Sequence, residues 1–148
     1  MPNAGMHVFT GKTSGRVAVA RLTQGSDLLD EINSLAERAG FAAATVQFIG
    51  ALRKAVVLVL DQDTKEYLNI DVPGPLEIVS GSGNISLRDG KPFAHVHVVV
   101  SGLDGKCIGG HVANGCEVYL TELVLTELAM DKPLERTLDK EVGVAVWQ

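Results

Sequence analysis

The stretch "FAHVHVVVSGLDGKCIGGHV" runs from Phe93 to Val112. Its first half reads as a strand, in which alternate side chains point to opposite faces. Val96 and Val98 then share one face, and His95 and His97 share the other. "LDGK" follows, and its Asp104-Gly105 pair is a hairpin signal. "CIGGHV" is a second short extended run. Strand, tight turn and strand make an antiparallel ladder.

Working outward, the same grammar repeats. "RDGK" at 88–91 and "ANG" at 113–115 read as turns. "EVYLTELVLTEL" from Glu117 reads as a long strand, although its Glu and Leu content also suits a helix. "FAAATVQFIG" and "RKAVVLVL" read as two strands buried on both faces. "EYLNIDV" reads as a strand closed by a turn or loop at Pro73-Gly74-Pro75, because proline cannot donate to a ladder. In "LEIVSGSGNISL", Gly81 and Gly83 predict a bulge or bend.

"GRVAVARL", Gly15–Leu22, reads as the first strand. After it, Leu28, Leu29, Ile32, Leu35, Ala36 and Ala39 recur at helical spacing. Ser26 is the expected N-cap, with Asp27 and Asp30 near the positive end of the helix dipole. Gly40 is the expected C-terminal stop. The tail from Asp131 to Gln148 gives no clear period. The residues therefore specify a mainly antiparallel β chain with one clear helix between the first two strands.

The chain has 148 residues, 46% hydrophobic and 21% charged, which suits one domain with a real core. Aromatics are only 5%, so the core is built from Val, Leu, Ile and Ala. Thirteen basic against 18 acidic groups leave a net charge of −5, a poor basis for non-specific affinity to nucleic acid. The N-terminus lacks the apolar core of a signal peptide. No apolar run nears the roughly 20 residues that span a membrane. Cys107 and Cys116 are too few for a disulfide scaffold, so reduced thiols and a cytoplasmic location are expected. Both cysteines are expected to be small buried residues.

Three of the four histidines fall between His95 and His111. The turn at Asp104-Gly105 can return His111 beside His95 and His97. Gly109 and Gly110 permit a bend or close approach just before it. Three neutral imidazoles suit Zn²⁺ and leave a fourth position open, though they also suit copper, nickel or iron. The other reading is three histidines making ordinary hydrogen bonds on a sheet face. His7 is expected to lie outside the cluster. Glu77, Asp104, Glu117 and Glu122 are general-base candidates by residue type only. "GSGNIS" at 81–86 lacks the ending of a phosphate loop. No catalytic residue is assigned.

Four segments together resemble a known family: "RLTQGSDLLDEINSLAERAG", "GPLEIVSGSGNIS", "HVHVVVSGLDGKCIGGHV" and "GCEVYLTEL". They are similar to the plant and prokaryote conserved domain (PPC or PCC), formerly domain of unknown function 296, over roughly residues 15 to 130. The resemblance implies an α+β fold, an antiparallel sheet with flanking helices in a single domain, and a homotrimer. It implies a metal, usually zinc, on His95, His97 and His111. Residues 1–14 are then an N-terminal extension and 15–148 the PPC-like domain. The family's DNA-binding label rests in plants on a separate Arg-Gly-Arg-Pro hook, which this sequence lacks. Pro75 and Leu76 also replace the plant members' Arg and Phe.

The expected function is that of a small cytoplasmic zinc-binding trimer, a binding or regulatory module with a small anionic ligand at the metal and no membrane partner. The alternatives are a DNA-binding protein, which the charge does not support, and a metal-dependent enzyme using a zinc-activated water.

Overall fold

The computed structural model describes residues 6–148. The chain runs β1 (Gly11–Leu22), α1 (Leu28–Ala39), β2 (Ala44–Asp61), β3 (Glu66–Arg88), β4 (Lys91–Ser101), β5 (Cys107–Val112), β6 (Glu117–Met130), β7 (Arg136–Leu138) and β8 (Ala145–Trp147). Strands β1 to β6 form one antiparallel sheet in the order β1-β6-β2-β3-β4-β5. β5 also pairs with the far half of β2, through Val57↔Val112 and Leu58↔His111. Strands β2, β3, β4 and β5 therefore close into a ring. β7 and β8 form a separate hairpin.

α1 is the expected helix with a different cap. Asp27, not Ser26, is the N-cap: its carboxylate accepts from the backbone N–H of Leu29 and Asp30. Ser26 instead donates its hydroxyl to the Thr23 carbonyl. The reason is tertiary, since Asp27 is also held by the Gly115 N–H and the Asn114 amide from the β5–β6 turn. Gly40 ends the helix as expected, in the left-handed region at φ 71°. Leu28, Ile32 and Ala36 face the core, which they share with Val46, Phe48, Ile85, Val96, Val98, Leu123 and Leu125.

Four other expectations change. The apolar runs after α1 are one strand, β2, and it is buried on one face: Val46 and Phe48 are buried while Thr45, Gln47 and Ile49 are exposed. Pro73-Gly74-Pro75 is not a turn, because β3 runs straight through it. A register shift between Leu52 and Lys54 sets an irregularity opposite this segment, where a missing proline donor costs little. Gly81 and Gly83 stay in register, and the bulge falls at Val79. These two glycines admit close approach instead: a Cβ on Gly81 would meet the Phe48 ring at 2.1 Å, and one on Gly83 the His95 carbonyl at 2.1 Å. Among the described residues α1 is the only helix, so the flanking helices reduce to one and the tail is the β7–β8 hairpin.

The face of the sheet opposite α1 is covered within one chain only where the β7–β8 hairpin lies on Asn84, Ser86 and His95. Val17, Val19, Ile49 and Val99 stand on the rest of it at 61%, 69%, 56% and 39% exposure. One row of cross-strand partners crosses it: Val19, Val124, Gln47, Ser82, His97, His111 and Leu58. The histidines lie on this row and the next, outside the core. Among the described residues no helix is long and apolar enough to cross a membrane.

Candidate metal centre

Two hairpins assemble the histidines. Asp89 and Gly90 take positive φ of 52° and 74°, the geometry of a two-residue hairpin turn. That turn sets Arg88 across from Lys91 and so Asn84 across from His95. The longer β4–β5 turn sets His97 across from His111. β5 fits between β4 and β2 because two glycines precede His111. A Cβ on Gly109 or Gly110 would come within 2.8 Å of the carbonyl of Val98 or Leu58, respectively.

The three rings meet, with centroids 5.0 to 5.5 Å apart. One ring nitrogen of each lies within 4.8 Å of the others, close enough to share one ion. His95 and His111 are partly buried and His97 is exposed. Nδ1 of His111 is buried with no hydrogen-bond partner among the described residues. A buried polar atom left unpaired is costly, and a metal ion would satisfy it. Burial first, then the nearby Arg136 charge and the other two imidazoles, push the His95 pKa down to about 4. Burial, then His97 and Arg136, lower that of His111. Both rings are thus held in the neutral form that a metal requires. The donor set fits a borderline transition metal such as zinc.

The other sequence candidates lie elsewhere. Cys107 is exposed, contrary to expectation, at the open end of β5. Cys116 is buried, its thiol donating to the Val56 carbonyl. Glu117 pairs with Arg53, Asp104 with Lys106, Glu122 lies across from Arg21, and Glu77 across from Ser101. None of them, nor His7, joins the histidine group among the described residues.

The sequence reading missed the surroundings. Arg136 of β7 reaches His95 Nδ1 at 3.2 Å and donates to Asn84 Oδ1 at 2.9 Å and Ser86 Oγ at 3.1 Å. Its guanidinium lies 4.8 Å from the centre of the Trp147 ring. The Tyr67 ring lies 5.8 Å from that of His111. Asn84 was within reach of sequence reasoning, since counting back from the Asp89-Gly90 turn pairs it with His95. Arg136 gave no local signal.

An all-antiparallel sheet with one helix and an outward-facing histidine triad defines a small β domain with a surface site that could hold a metal ion. Residues 9–129 match the model of the Plants and Prokaryotes Conserved (PCC) domain, and the chain belongs to that family. A metal-containing protein of Archaeoglobus fulgidus is 39% identical, with 97% of this chain and 99% of that one covered at a TM-score of 0.90. A plant- and prokaryote-conserved (PPC) protein of Pyrococcus horikoshii is 34% identical, covering 95% and 97% at a TM-score of 0.87. A candidate DNA-binding protein of Bacteroides thetaiotaomicron, 19% identical over 96% of this chain and 98% of its own at a TM-score of 0.83, shares the fold. Among curated proteins, the bifunctional protein GlmU of Synechococcus sp. (strain JA-3-3Ab) is 32% identical over 86% of this chain, which spans only 20% of that protein's length.

Proposed function

We propose that this protein is a small cytoplasmic zinc-binding module that works as a homotrimer and takes a small anionic ligand at the metal. One observation carries the reading: three imidazole donors share one ion's reach, and the buried Nδ1 of His111 has no other partner among the described residues. The metal-containing Archaeoglobus relative supports it. His95, His97 and His111 would hold the ion, which when bound supplies Lewis acidity at an open coordination position. The protein's own part is to keep His95 and His111 neutral and their rings oriented. The uncovered apolar sheet face supports self-association, since patches of this kind mark interaction surfaces.

The alternatives gain less. DNA binding would have to overcome a net charge of −5. A metal-dependent enzyme would need a general base beside the histidines; Glu77, Asp104, Glu117 and Glu122 stand outside the histidine group, and Asp89 is the carboxylate that lines its cleft. Native mass spectrometry of untagged protein tests both parts of the proposal at once. The expected species is a trimer carrying about one zinc per subunit. A monomer would overturn the assembly, and a trimer that stays metal-free after zinc is offered would overturn the site.

A further inference from the structure

Arg136 is only 9% exposed, yet every partner it has is neutral. Its Nε–H goes to Ser86, one Nη1–H to the Ala145 carbonyl, and Nη2 to Asn84 and His95. A buried cation is normally matched by a carboxylate. The ion pairs among the described residues are Arg16–Glu127, Arg53–Glu117 and Lys106–Asp104, so Arg136 has none, and neither has Arg88. Both arginines line one cleft of about 530 Å³, shared with Tyr67, His95 and His111. Asp89 also lines it but pairs with neither arginine, so two cations face one anion there.

The contact with His95 adds direction. An arginine N–H only donates, so His95 Nδ1 accepts and the neutral ring carries its proton on Nε2. Metal binding needs an unprotonated ring nitrogen. If His95 offers Nδ1, Arg136 loses its acceptor. If it offers Nε2, the proton moves to Nδ1 and faces a donor. In either case loading the histidines breaks this hydrogen bond and frees an Nη2–H. With the unused Nη1–H, that gives one donor on each terminal nitrogen, the number a carboxylate takes in a bidentate pair.

We propose that Arg136, with Arg88, forms a subsite for a small carboxylate beside the histidines, and that an anion there and a metal on the histidines favour each other's binding. The coupling rests on the metal reading above, whereas the subsite does not. Arg136 lies beyond the span matched to the family, so the β7–β8 hairpin brings the recognition group.

Trp147 is the sole tryptophan and lies against the Arg136 guanidinium, so its fluorescence reports on the subsite. Acetate is titrated into metal-free and zinc-treated protein, with inorganic phosphate as a second probe. The expected result is a saturable change with acetate, tighter by at least about fivefold after zinc. It should be abolished in R136Q, weakened in R88Q and kept in K106Q. A response that does not saturate, or that survives in both R136Q and R88Q, would overturn the subsite. Phosphate binding more tightly than acetate would overturn the carboxylate assignment. Saturable acetate binding that zinc leaves unchanged would overturn the coupling. Because the acetate arm on metal-free protein and the R88Q variant stand alone, a failure to bind zinc, or of R136Q to fold, still leaves the subsite decided.

Discussion

His95 is half-buried beside a guanidinium and two imidazoles, and burial first, then these neighbouring charges, makes its protonation a stability term. Its folded pKa, about 4, lies below the ordinary 6.5. Between those values the unfolded chain binds a proton that the folded chain refuses, so stability falls as pH falls through that window. His111 acts with the same sign. Asp61 and Asp139, lowered by backbone hydrogen bonds, lose their contributions only below 3.8, outside it. Denaturant midpoints of the metal-free protein should therefore drop between neutral pH and the middle of that window, with a shallower drop in H95Q. An identical slope in H95Q would show that His95 does not carry the term. The meeting of His95, His97 and His111 was legible in the sequence, because period-two alternation and an Asp-Gly turn are local signals. The neutral cage around Arg136 was not, since it joins β7 to residues some fifty positions upstream.

The elements show the same division. Alternation in β4 and β6 and the helical period of α1 are written locally, and the strands and helix formed where read. The cap of α1 was misplaced by one residue because a turn ninety positions downstream decides it. Asp27→Ala should destabilise by about 1–2 kcal/mol for the cap, and more because the Gly115 N–H loses its acceptor. Chemical denaturation measures this, and Ser26→Ala should cost less. The prolines of β3 read as a turn because proline lacks a donor, but the irregularity in β2 that tolerates them is invisible locally. Gly81→Ala should cost about 1–3 kcal/mol by overpacking against the Phe48 ring. A neutral outcome would show that the Phe48 side chain yields freely.

For the whole molecule, an apolar composition and a single helix leave much of one sheet face without cover. The tail is a hairpin set over the His95 end of that face, and the proposed self-association would cover the rest. Val19→Glu with Ile49→Glu places charges on that face away from the buried core. The double variant should sediment as a folded monomer with unchanged circular dichroism. A variant that keeps the wild-type mass would place the assembly surface elsewhere. The row holding Val19 also holds His97 and His111, so the same variant is a check on whether assembly and metal retention are linked.

The central claim is that His95, His97 and His111 hold a metal. Elemental analysis of untagged protein beside His97→Ala tests it most directly, because His97 is the exposed ligand and its loss leaves the core intact. The account predicts about one zinc per chain in the wild type and its loss in the variant. Metal in neither protein after zinc is offered at neutral pH, or equal zinc in both, would contradict it.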